Sequence, residues 1–224
     1  MVLFHKFYLI KTNFKNELEI KTSAIACLFI SLKVCNQFIP LNNLIKEFLI
    51  HIKLNKNIFI DDSFILEASE RICYVEFEIL KIIGFDLNID LPYKYIDTMV
   101  SYTLKTLRNP KFLIIATNFL NDSFKLPLCL YYHPKLLALA GIYMTMSWFR
   151  ISLPDLEGKK WYQIIENNVN FNSVVEVANY INKIYEYSSQ RPSNKQVKTD
   201  TNFLENVYYQ KINIDSLNLN RNAD

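Results

Sequence analysis

The side chains able to do chemistry are present but scattered. His5, His51 and His133 lie far apart, and no H-E-x-x-H or paired Cys/His spacing surrounds them, so local sequence assembles no metal site. The acidic pair Asp61-Asp62 reads as charge at a helix start, where the backbone dipole favours it, and Asp155 with Glu157 reads as loop; neither reads as an acid/base pair. Cys27, Cys35, Cys73 and Cys129 show no C-x-x-C spacing and sit in apolar runs, which reads as reduced thiols in the core of an intracellular protein. Gly84, Gly141 and Gly158 are isolated, which removes any phosphate-cradling loop built on clustered glycines. The expectation is a non-enzyme with no catalytic residue, no metal and no cofactor.

Composition narrows the remaining classes. Twenty-five basic and 22 acidic side chains are interspersed along 224 residues for a net charge of +3, too balanced for nucleic acid to be held by counterion release. Half the residues are hydrophobic, enough for one large folded domain or two of about 100 residues each. No signal peptide opens the chain, and its apolar runs fall short of the ~20 residues that cross a bilayer, so a soluble protein is expected.

The elements that must carry any site are helices. Apolar residues recur at three and four with no sustained strand-like alternation, giving an all-α fold class. Helices are predicted over Val2 to Lys11, Thr22 to Gln37, Leu41 to about Leu54, and Asp62 to Ile83. The last of these carries Ile65, Ala68, Ile72, Val75, Ile79 and Ile82 along one stripe, with Asp62 or Ser63 able to cap it and Gly84 to end it. The second, through Ala24, Ile25, Cys27, Leu28 and Phe29, is apolar enough to be central. A further series is predicted over Pro92 to Leu107, Pro110 to Phe124, Pro134 to Phe149, a short piece at Trp161, and Phe171 to Tyr187; proline at a first-turn position opens three of them. Ser173 and Glu176 fit a capping box for the last. Trp148 and Trp161 read as core, and Lys159 with Lys160 as a solvated pair. From residue 188 the chain is rich in Asn, Ser, Lys and Gln, with an apolar cluster at Phe203, Leu204, Val207 and Tyr208, and reads as a mobile tail.

Two stretches, AIACLFISLKV at Ala24 to Val34 and RICYVEFEILKIIGFDLNIDLPYKYI at Arg71 to Ile96, resemble the first box of a cyclin. Downstream, FLNDSFKLPLCLYYHPKLLALAGIYMTMSW and GKKWYQII are similar to the second box of the transcriptional K, T and L types. The resemblance implies two tandem five-helix boxes, over residues 1–88 and 89–187. It also implies that the first is truncated at its N-terminus, since the helix before HKFYL is absent.

The resemblance further implies a cyclin-dependent protein kinase as partner, in the nucleus; the short apolar runs argue against a membrane and the balanced charge against directly bound nucleic acid. Lys33, Val34, Glu76, Leu80, Phe85 and Leu87 are the residues it places against that kinase. Lys33 and Glu76 match the two polar residues that typically bond kinase backbone, and Glu76 sits with Leu80 and Ile83 beside the core stripe of its helix. Transcriptional cyclins usually follow the lysine with an acidic pair, where this chain has Cys35 and Asn36. The alternative is a cyclin-fold binding module or scaffold that activates no kinase.

Overall fold

A computed structural model describes residues 1–11, 17–52, 62–98, 110–153, 155, 158–164 and 166–189. The expected tail from 190 onward, Asp61, Glu157, Leu54, and the second half of the helix opened by Pro92 lie outside these. Every regular element among the described residues is helical: α1 (Val2–Ile10), α2 (Glu17–Val34), α3 (Leu41–Ile52), α4 (Asp62–Ile82), α5 (residues 93–98), α6 (Pro110–Ser123), the single turn α7 (Leu128–Tyr131), α8 (Pro134–Phe149), a 3-10 turn at Trp161–Ile164, and α9 (Phe171–Ser189). The chain divides into two compact units, Met1–Asp90 and Leu91 onward.

The first unit is organised round α2. Ile25, Ala26, Cys27 and Ile30 are all buried, and α1, α3 and α4 supply Leu3, Phe7, Ile45, Ile72 and Ile79 to the same core. A helix apolar on most of its circumference has to be enclosed. Two of the small polar residues on α2 are accommodated by its own backbone: Thr22 donates to the Leu18 carbonyl at 2.8 Å and Ser31 to that of Cys27 at 2.7 Å. Burial pushes the Cys27 thiol up to about 12, as suits an inert core residue. Cys35 and Cys73 depart from the expected core placement. Both are exposed, Cys35 just past the end of α2 and Cys73 on a face of α4 away from the stripe of Ile65, Ile72 and Ile79.

The second unit repeats the solution with α8 at its centre. Leu137 through Ile142 are buried, with Phe112, Ala116 and Leu120 of α6 on one side and Val174, Val177, Ala178 and Ile181 of α9 on the other. Gly141 is what allows α6 and α8 to approach: a methyl group there would sit 3.2 Å from the Ala116 carbonyl oxygen and 3.9 Å from Leu120. His133 caps α8, its Nδ1 accepting from the Lys135 N–H at 3.3 Å, and Pro134 occupies the first helical position.

Two expectations for this unit are corrected. The cap of α9 is Asn170, whose Oδ1 accepts from the Asn172 N–H at 3.0 Å, because the helix begins at Phe171 and leaves Ser173 inside its first turn. Glu176 instead accepts from the Tyr132 hydroxyl at 2.8 Å. Trp161 is buried, packed edge-on to Phe171, but Trp148 is 68% exposed and is not core. Lys159 and Lys160 are both exposed, as expected, and Lys160 pairs with Asp155 at 2.8 Å.

The tight α6–α8 approach yields a direct test. Gly141→Val should destabilise the protein by about 1–3 kcal/mol, a loss of roughly 3–10 °C in Tm followed by circular dichroism. An unchanged melt would show that the two helices can separate at no cost.

Candidate functional site

Helix ends decide which residues reach the surface of the first unit. At the end of α2 the Gln37 N–H bonds the Leu32 carbonyl at 2.8 Å and the Asn36 N–H bonds that of Lys33 at 3.1 Å, with Asn36 left-handed at φ +56°. This is a Schellman termination with asparagine at the left-handed position. α4 ends the same way: the Phe85 N–H bonds the Leu80 carbonyl at 2.9 Å and the Gly84 N–H that of Lys81 at 3.2 Å, with Gly84 at φ +63°. Phe85 is then itself left-handed at φ +57°, a conformation that costs a bulky L-residue roughly 1–2 kcal/mol. The turn is tied down by Lys6, which pairs with Asp86 at 3.0 Å and holds that carboxyl below its ordinary range.

An ion pair joins the two helices ahead of these ends. The Lys33 ammonium, in the last turn of α2, is 2.7 Å from Oε1 of Glu76 on α4 and stands 4.0 Å from the centre of the Phe29 ring. The Glu76 side chain is only 13% exposed, the Lys33 side chain 49%. Side-chain chemistry leaves the pair with more to offer: Glu76 has a second carboxylate oxygen, and a lysine ammonium carries three donors.

Apolar side chains flank the pair. Val34 follows Lys33 and is exposed; Phe38, four residues on, is 87% exposed; Phe77 follows Glu76 and is exposed, with the Lys81 ammonium 5.3 Å from its ring centre. Phe85 is exposed at the end of α4, whereas Leu80 and Leu87 pack partly buried against the core. Of the six sequence-predicted residues, Lys33 and Glu76 are therefore joined, Val34 and Phe85 are displayed, and Leu80 with Leu87 support them from below. Phe38 and Phe77 were missed. An aromatic set in the polar run between Cys35 and Pro40 was a legible signal for the first; nothing in the α4 repeat separates Phe77 from an ordinary boundary residue. Among the described residues no cluster of His, Cys, Asp and Glu could hold a metal.

Residues 95–184 match the family described as Cyclin-T2-like, C-terminal domain. Cyclin-T1-3 of Oryza sativa subsp. japonica is 28% identical over 206 residues, covering 88% of this chain and 40% of the relative. The chain is therefore similar to transcriptional cyclins. Cyclin-T of Drosophila melanogaster is 29% identical over 132 residues, 58% of this chain and 12% of its own, and a cyclin-L1-like protein of Schizosaccharomyces pombe is 33% identical over 99 residues, 44% and 36% of the two. The chain spans about a third to two fifths of the first relatives it matches. No helix among its described residues is long and apolar enough to cross a membrane.

The ion pair joins α2 to α4 and its energy is measurable in the isolated chain. A double-mutant cycle with Lys33→Met and Glu76→Gln, read by urea unfolding, should give a coupling of roughly 0.3–1 kcal/mol that shrinks in molar salt. Zero coupling at low salt would mean that the two side chains do not hold each other in solution.

Proposed function

We propose that this chain is the non-catalytic regulatory subunit of a cyclin-dependent protein kinase of the transcription-associated class, acting in the nucleus. Its two units would be the tandem boxes expected over 1–88 and 89–187. The observation that carries the reading is the Lys33–Glu76 pair, joining α2 to α4 and flanked by exposed Val34, Phe38, Phe77 and Phe85. Exposed apolar and aromatic side chains beside a charged pair are the residue types that a protein–protein interface uses.

The mechanism follows from the pair's remaining capacity. Glu76 can accept a backbone N–H from a docked partner while Lys33 donates to a backbone carbonyl, and because each already fixes the other, little side-chain freedom is lost on binding. The aromatic residues supply the buried anchors. In kinases of this class a mobile helix carries a glutamate that must pair with the lysine holding the ATP phosphates. Docking against Val34, Phe38, Phe77 and Phe85 would push that helix inward, so the cyclin completes another protein's active site.

The strained Phe85 backbone fits the same reading, since sparsely populated conformations persist where a side chain has to be displayed. Leu80 and Leu87 beneath it keep the turn in place.

Co-expression with candidate cyclin-dependent kinases tests this, scoring capture and phosphorylation separately so that docking without activation is visible. Replacing both Lys33 and Glu76 by alanine should weaken capture by about 2–5 kcal/mol, as truncating buried interface charges does. Leu80→Ala should weaken it less, and Lys159→Ala, in the other unit, not at all. Phe85→Gly separates display from folding: it relieves the left-handed strain, leaving the melt unchanged or higher, yet should reduce capture. Wild-type capture and activation by the double variant would overturn the proposed surface.

A further inference from the structure

The second unit carries a groove of about 530 Å³ between α6, α8 and α9, within the roughly 300–1,000 Å³ typical of ligand clefts. Phe119, Met144, Trp148, Asn179, Asn182 and Tyr185 line it. Its walls are preset. The Phe119 ring meets Trp148 edge-on at 6.4 Å and Tyr185 edge-on at 5.9 Å, and the Tyr185 hydroxyl donates to Oδ2 of Asp122, which also pairs with Lys125 at 2.6 Å. Burial, together with that bond to Asp122, raises the Tyr185 phenol well above its ordinary value. A tryptophan left 68% exposed beside two further rings is an apolar surface that calls for a cover. Asn179 and Asn182 offer amides that both donate and accept, suited to the main chain or polar edge of whatever lies there.

The geometry of the chain names the occupant. Asn179, Asn182 and Tyr185 sit on the second half of α9, which ends at Ser189, and the chain then continues from Gln190 to Asp224. Within that continuation Phe203, Leu204, Val207 and Tyr208 repeat at one- and three-residue steps, the spacing of a single amphipathic face. Ser189 is four residues from Tyr185, about 6 Å along the helix, and the thirteen residues 190–202 can span up to roughly 40 Å.

We propose that the Phe203–Tyr208 stretch docks in the groove of its own chain and covers Trp148. Tethering gives it an effective concentration on the order of millimolar, so an intrinsic dissociation constant near ~0.1 mM suffices for about tenfold occupancy over vacancy. An outside peptide would have to compete with that.

The test uses the full chain throughout, with hydrogen exchange at residues 203–208 and acrylamide quenching of Trp148; buried Trp161 serves as the internal reference. Amides 203–208 should exchange about tenfold more slowly than in a free peptide of the same sequence, and Trp148→Ala should abolish that protection. Leu204→Ser with Val207→Ser should make Trp148 markedly more quenchable while the far-ultraviolet dichroism stays unchanged. Free-peptide exchange rates together with equal quenching in wild type and double variant would overturn the proposal. So would protection lost on dilution, which would assign the groove to a second copy, or protection that arises only when another protein is added.

Discussion

Two helices, α2 and α8, are apolar over most of their circumference, and the rest of each unit is arranged to keep them out of water. Ile25, Ala26, Cys27 and Ile30 point to different sides of α2, so no single neighbour can cover them; α1, α3 and α4 are all needed. α8 makes the same demand, and Gly141 meets it by letting the α6 backbone come within 3.2 Å of where a side chain would begin. At ~25 cal/mol per Å² of apolar area buried, enclosure of such helices is the dominant favourable contribution in either unit.

Enclosure also decides what remains for function. Leu28 apart, the exposed residues of α2 lie near its ends, and both α2 and α4 terminate in Schellman turns that bring chain out of the core at a defined angle. Lys33 emerges in the last turn of α2, Phe38 just beyond it, and Phe85 just beyond α4. The Lys33–Glu76 pair then ties the last turn of α2 to α4, six residues before α4 ends. Buried packing thus positions an exposed site, with Leu80 and Leu87 packed against the core beneath it.

Much of this was legible in the sequence. Three- and four-residue periodicity located every long helix among the described residues, and α8 runs from Pro134 to Phe149 as its residues suggested, because proline and a left-handed terminus bound it sharply. α2 begins earlier than expected, at Glu17, since ELEIK carries good helix formers ahead of the apolar run. The family was readable from the two motif stretches. What escaped was exposure: Trp148, Cys35, Cys73 and Phe77 have apolar or soft side chains, and composition assigns such residues to a core although only the packing of neighbouring helices decides which face of each helix is covered. The Lys33–Glu76 contact, between residues 43 positions apart, was likewise a tertiary fact.

Hydrogen exchange of the intact chain, alone and with a captured cyclin-dependent kinase, tests the central claim most directly because it maps contact without altering a residue. Added protection should concentrate at residues 31–39 and 74–87, round the ends of α2 and α4. Protection confined to the second unit, with those two stretches unchanged, would contradict it.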